Sequence, residues 1–244
     1  MSLHLKFFFS HLFISLLIAL VVIGLVFFVW YPSSLAEAIG VKQIFLTMFV
    51  VDVIVGPLLS LFVYKEGKKT LKFDLSVIIF IQICALVYSV YTIAKGRPVW
   101  LVYNIDRIEL VGNNEIIQTH IQEARTQFQS PSWLKPKYVG VEFAQDAKQR
   151  GDGMFAEILG GISIAQKPER YVEIEQVKSK IQQHAQDLVL LSQYNDKALV
   201  QKILDCYPQA NAYLPLKANA LDMTVLVNKD TAEIIKIVDL RPWK

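Results

Sequence analysis

The chain has 244 residues, 53% of them hydrophobic, and carries 25 Lys+Arg against 22 Asp+Glu for a formal net charge of +3. That balance lacks the clustered positive field of a nucleic-acid surface. Two cysteines, Cys84 in an apolar run and Cys206 far along the chain, cannot make a disulfide framework.

The apolar excess lies almost entirely before Ala94; from Lys95 onward the chain has 19 Lys+Arg and 18 Asp+Glu, as in an ordinary water-soluble domain. A helix crossing about 30 Å of hydrocarbon needs roughly 20 mostly apolar residues. Three stretches meet this: about 7–31, 41–64 and 75–94. The chain therefore divides into a three-helix transmembrane domain, residues 1–96, and a soluble domain, residues 97–244. Ala36-Glu37-Ala38 resembles a signal-peptide cleavage site. The apolar run before it outlasts the roughly 7–15 residues of a signal core, so it predicts an uncleaved helix.

Lysine sets the orientation. The loop Pro32–Gly40 has no Lys or Arg, whereas Lys65-Glu66-Gly67-Lys68-Lys69-Thr70-Leu71-Lys72 has four lysines. Positive charge stays in the cytoplasm, so that second loop and the N-terminus with Lys6 are predicted inside and the C-terminal domain outside, in a bacterium the periplasm. Phe27, Phe28, Trp30 and Tyr31 at the end of the first helix, and Trp100 and Tyr103 after the third, are expected at the membrane–water interface.

In the soluble part Val99–Val111 predicts a strand, and a helical pattern runs from Asn113-Asn114 through Ala124. Tyr138–Phe143 predicts a second strand, and Asp146–Leu159 a helix weakened by Gly151 and Gly153. Pro168–Leu191 has the strongest helical spacing, in Tyr171, Ile174, Val177, Ile181 and Leu188, and Lys197–Cys206 predicts a further helix. Near the end the period changes. Asp222–Val227 and Glu233–Val238 flank Asn228-Lys229-Asp230-Thr231 and predict a hairpin. Helices between flanking strands make this an α+β domain with a small, mainly antiparallel sheet.

No catalytic constellation stands out. The histidines His4, His11, His120 and His184 have no metal-ligand spacing, and no phosphate loop, dinucleotide fingerprint or nucleophile elbow occurs. The sequence thus predicts no enzyme, metal or cofactor. The membrane part says more. Asp52 lies near the middle of its helix, where a carboxylate costs about 2.5–3.5 kcal/mol on the insertion scale. At α-helical spacing Asp52, Gly56 and Ser60 share one face, and Pro57 removes a backbone hydrogen bond beside them. This face is a candidate helix-docking surface, since small residues let helices approach closely. It either packs inside the chain's own bundle, with Gln82 on the third helix as polar partner of Asp52, or receives another protein's helix. Ion translocation is a third possibility.

Asp52-Val53-Ile54-Val55-Gly56-Pro57-Leu58-Leu59, then Lys68-Lys69-Thr70-Leu71-Lys72-Phe73-Asp74-Leu75, then Gln82, Ala85-Leu86-Val87-Tyr88 and Arg97-Pro98-Val99-Trp100-Leu101-Val102-Tyr103 resemble the type IV pilin accessory proteins, the TfpX/TfpZ family. The blocks cover the second and third helices and end near Asp106-Arg107. Lys68, Lys69, Lys72, Phe73, Asp74, Arg97 and Pro98 are carried over as motif positions. The resemblance implies a non-enzymatic bacterial inner-membrane partner of a major type IV pilin. Such a partner would meet the pilin's transmembrane helix and periplasmic head, and other pilus assembly proteins as well. Its rivals are a sensor or structural subunit of another envelope complex and an unrecognised membrane enzyme. The orientation is directly testable. Reporter fusions at Lys69 and Lys244 are expected to read cytoplasmic and periplasmic respectively, and a cytoplasmic signal at Lys244 contradicts the topology.

Overall fold

In a computed structural model the structure describes residues 3–32, 34–142 and 161–243. The chain forms two compact units: Met1–Val29 with Gly40–Gly96, and Trp30–Ile39 with Arg97–Lys244. The short segment between the first two membrane helices, placed with the membrane part by the sequence, thus belongs to the soluble unit.

The membrane unit has three helices long and apolar enough to cross a bilayer: Leu3–Trp30, Val41–Val63 and Leu71–Lys95. Gly40 opens the second in the left-handed region at φ 79°, which suits a residue without Cβ. That helix is α from Val41 to Phe49, widens into a π segment over Val50–Val55, and is α again from Gly56 to Val63. In the turn to the third helix Asp74 accepts from Thr70 Oγ1 at 3.0 Å and pairs with Lys68 Nζ at 2.7 Å, fastening the turn to the helix start. Of the other motif positions, Lys69, Lys72 and Phe73 are exposed.

The soluble unit is built on an eight-stranded sheet among the described residues: β1 (Pro98–Asn104), β2 (Arg107–Gly112), β3 (Lys137–Val141), β4 (Tyr171–Glu173), β5 (Gln186–Asp187), β6 (Ala212–Lys217), β7 (Met223–Asn228) and β8 (Glu233–Val238). The order is β4-β3-β1-β2-β6-β7-β8, with β5 also paired to β6. The β1–β3 and β2–β6 pairings are parallel and the other five antiparallel, giving the expected α+β class with a mainly antiparallel sheet.

Both faces of β1 are buried, so it reads as one apolar run rather than an alternation. Leu101 and Tyr103 face one core with Ile108, Ile181, Leu214 and Val225. Trp100 and Val102 face a second core with Phe128, Val139 and Tyr171. The Trp100 ring meets Phe128 and Tyr171 edge-on at 5.9 and 5.5 Å. Trp100 and Tyr103 are therefore core residues, not interface anchors. Leu35 and Ala38 of the interhelix segment enter the first core, and Ala38 O accepts from the backbone N–H groups of Ala220 and Leu221 at 2.9 and 3.1 Å. Burying Leu35 contributes about 1.5–3 kcal/mol to the domain. Burial also pushes the Tyr31 hydroxyl far above its usual pKa, so it stays neutral.

Several local expectations are corrected. Val99–Val111 is a hairpin, turned at Ile105 with φ 57°. The stretch expected to be helical after Asn113 is turns and a single 3-10 turn, Ile121–Glu123. Pro168–Leu191 is broken into 3-10 turns, two short strands and the helix Lys178–His184. Here β3 captures Tyr171–Glu173 as an edge strand, and long-range pairing overrides local helical spacing. The expected helix at 146–159 lies outside the described residues. The helix Lys197–Asp205, capped by Asp196 Oδ1 on Leu199 N at 2.9 Å, and the β7–β8 hairpin form where the sequence places them.

Candidate functional site

Backbone geometry at the middle of the second membrane helix defines the site. In the π segment Gly56 N–H donates to Val51 O, five residues back. The next residue in that register, Pro57, has no N–H, so the carbonyl of Asp52 loses its donor. No water is available in hydrocarbon, and the group has to be met from within the bundle. Gln82 of the third helix meets it: its Nε2 donates to Asp52 O at 3.0 Å. Gly56 makes the room. A Cβ there would stand 1.8 Å from Gln82 Nε2 and 2.1 Å from Cδ, so only glycine leaves a slot for this amide. Asp52, Gly56, Pro57 and Gln82 are thus one structural unit, but Gln82 engages the backbone of Asp52 and not its carboxylate.

The first helix closes the bundle on the other side. Ser60 Oγ donates to Pro57 O at 2.8 Å, and His11 Nδ1 lies 3.0 Å from Ser60 Oγ. With its proton committed to Pro57 O, Ser60 accepts here, which assigns the His11 proton to Nδ1. Gly56, Pro57 and Ser60 are all buried.

The Asp52 carboxylate is left over. Both oxygens are shielded, and neither has a hydrogen-bond partner among the described residues. They border a cavity of about 370 Å³ lined by residues of all three membrane helices, with His11, Ser10 and Ser15 as the other polar groups and mainly apolar walls that include Ile14, Ala19, Ile79 and Ile83. A second cavity of about 280 Å³, lined by Thr47, Val51, Ala85 and Ser89 among others, also touches Asp52. Of the four residues proposed as a docking face, Asp52 alone lines these cavities.

Sequence reasoning brought together Asp52, Gly56, Pro57, Ser60 and Gln82, and the bundle gathers all five. It missed His11 and Ser15. Their signal was present as polar residues interrupting the first apolar run, at positions that turn toward the second helix. The motif residues Lys68–Asp74 form a separate turn, and Arg97 and Pro98 are buried in the soluble unit. Among the described residues no group of three or more His, Cys, Asp or Glu could hold a metal ion.

Comparison with known proteins gives a consistent pattern. A family model described as "Fimbrial assembly protein FimB" matches residues 2–40. "Fimbrial assembly protein, serogroup I" of Dichelobacter nodosus is 31% identical over 231 residues, covering 90% of this chain and 89% of the relative. The serogroup E1 protein is 30% identical with the same coverage. The protein of serogroups C1 and C2 is 37% identical over 117 residues, which is 47% of this chain and 88% of that one. No solved structure matches the chain.

The Gly56–Gln82 fit yields a coupling test. Gly56→Ala is expected to destabilise the bundle by about 1–3 kcal/mol by overpacking, and Gln82→Ala by about 1–2 kcal/mol by leaving a carbonyl unmet. The double variant should lose less than the sum, because the clash needs both side chains. Denaturant unfolding of the full chain in mixed micelles measures this cycle; strict additivity contradicts the arrangement.

Proposed function

The chain belongs to the fimbrial assembly protein family, and we propose that it is an inner-membrane accessory factor that binds a cognate major type IV pilin and assists its stability or its assembly into the pilus. In this reading the N-terminus is cytoplasmic, the C-terminal domain is periplasmic, and the role is binding rather than catalysis. The relatives' name and near full-length coverage support the assembly role. The resemblance of the Asp52–Leu59, Lys68–Leu75 and Arg97–Tyr103 blocks to pilin accessory proteins supports the choice of partner.

The observation that carries the mode of binding is the unpaired Asp52 carboxylate at the wall of the 370 Å³ cavity. A mid-membrane carboxylate is expensive without a donor, and Gln82 Nε2 and Ser60 Oγ donate to backbone carbonyls instead of to it. The cavity has room for side chains of an apposed helix, not for the helix itself. An apolar pilin helix lying across its mouth would insert side chains between Ile79 and Ile83 and present a donor to Asp52. Contacts of the soluble domain with the pilin head would add to this, since tethering makes the second contact intramolecular, and each contact could then be weak enough for the pilin to be passed on.

Two variants test the proposal. Ile83→Trp narrows the mouth from an exposed position, and Asp52→Asn keeps shape while removing charge. Each is expected to lower co-purified pilin about three- to tenfold, the change given by losing about 0.6–1.4 kcal/mol. Surface piliation should fall with it, both read against the accessory protein's own abundance. Normal accumulation with unchanged pilin recovery and piliation in both variants would falsify the docking mode.

A further inference from the structure

The soluble unit carries an exposed apolar tip at Trp133-Leu134. These are adjacent large apolar side chains, 69% and 64% exposed, in the loop that precedes β3. Other strongly exposed apolar residues of this unit, such as Ile105 and Val189, stand singly among the described residues. The loop is built. Ser132 Oγ accepts from Leu134 N–H at 3.1 Å and turns the tip, with Pro131 and Pro136 restricting the backbone on either side.

Its position is fixed by the points where the chain leaves the bilayer. Trp30, the last residue of the first membrane helix, donates from Nε1 to Trp133 O at 3.0 Å. Arg97, two residues beyond the end of the third membrane helix, places its guanidinium carbon 4.3 Å from the centre of the Trp133 ring and donates from Nη2 to Ser132 O at 3.3 Å. All of these contacts lie within the soluble unit. Two covalent exits from the membrane therefore converge on one loop. Charge points the same way. From Arg125 to Val141 the sequence has no Asp or Glu, and Lys135 and Lys137 beside the tip are exposed.

We propose that the 130–137 loop is a membrane-interface anchor. Trp133 and Leu134 enter the boundary between headgroups and acyl chains, and Lys135 and Lys137 lie against lipid phosphates. A tryptophan with one face stacked on a cation and the other open suits this layer, where an amphipathic ring is wet on one side and apolar on the other. Long lysine stems reach the phosphates while the neighbouring side chains stay in lipid. The occupant is the lipid surface itself.

The test uses the full chain with Cys84→Ser, Cys206→Ser and Leu134→Cys, labelled at position 134 with an environment-sensitive dye. It is reconstituted in phosphatidylcholine–phosphatidylglycerol vesicles with iodide on both faces. Lipid-borne nitroxide is expected to quench the dye strongly and iodide weakly. Strong iodide quenching with none from lipid overturns the proposal. Protection from both quenchers also overturns it, because the tip is then covered by protein, either a second copy or this chain itself. Native emission gives an independent reading: brominated lipid should quench less tryptophan emission in Trp133→Phe than in the parent chain. Equal quenched emission in the two chains overturns the proposal.

Discussion

A polar group inside hydrocarbon has no solvent to turn to, and around Pro57 this constraint shapes the whole membrane unit. The proline removes one donor, the π segment determines that the carbonyl deprived is that of Asp52, and Gln82 supplies the missing hydrogen bond. Gly56 is the consequence, since any larger residue would occupy the space of the Gln82 amide. A parallel link, Ser60 to Pro57 O with His11 beside it, ties in the first helix. Helices with apolar faces have little hydrophobic reason to associate in lipid, so such links and close packing decide which faces meet. What the arrangement leaves unsatisfied is the Asp52 carboxylate, the group on which the proposed docking rests.

The soluble unit depends on a different constraint, that of covering a sheet whose central strand is apolar on both faces. Elements from distant parts of the chain do this. Leu35 and Ala38 from the interhelix segment complete one core, and Phe128 and Tyr171 the other. The interhelix segment and residues 97–244 thus fold as one unit, and the two membrane helices between them return the chain to the same side of the bilayer. A carboxylate network lies within this body. Glu109 is buried and accepts from Asn104 Nδ2 at 2.8 Å and Ser163 Oγ at 2.6 Å, joining β2 to the segment that leads into β4.

Much of this was legible in the sequence because some signals are local. Apolar run length located the three membrane helices, and turn residues between alternating segments located the β7–β8 hairpin. The pairing of Asp52 with Gln82 was legible only as a pairing of residues. That it runs through a backbone carbonyl depends on the π register, which no residue spacing announces. Trp100 looked like an interface residue because it follows a membrane helix, yet two-sided burial of β1 draws it into the core. Tyr171–Glu173 lost its helical spacing to a strand thirty or more residues upstream, and β6 was not anticipated at all. These failures share a cause. Each concerns a partner far away in sequence, and local periodicity carries no information about it.

The fold and the family together point to a membrane protein of fimbrial assembly, and the surface proposed to receive a pilin helix is the cavity that Asp52 borders. The central claim is that the receiving surface is this cavity rather than the lipid-facing sides of the bundle. Photo-crosslinking in cells tests it most directly, with a photoreactive residue replacing Ile83 at the cavity or Tyr88, which lies off it and is 71% exposed. The account predicts a pilin adduct from position 83 and none from position 88. No adduct at 83, or equal adducts at both, would contradict it.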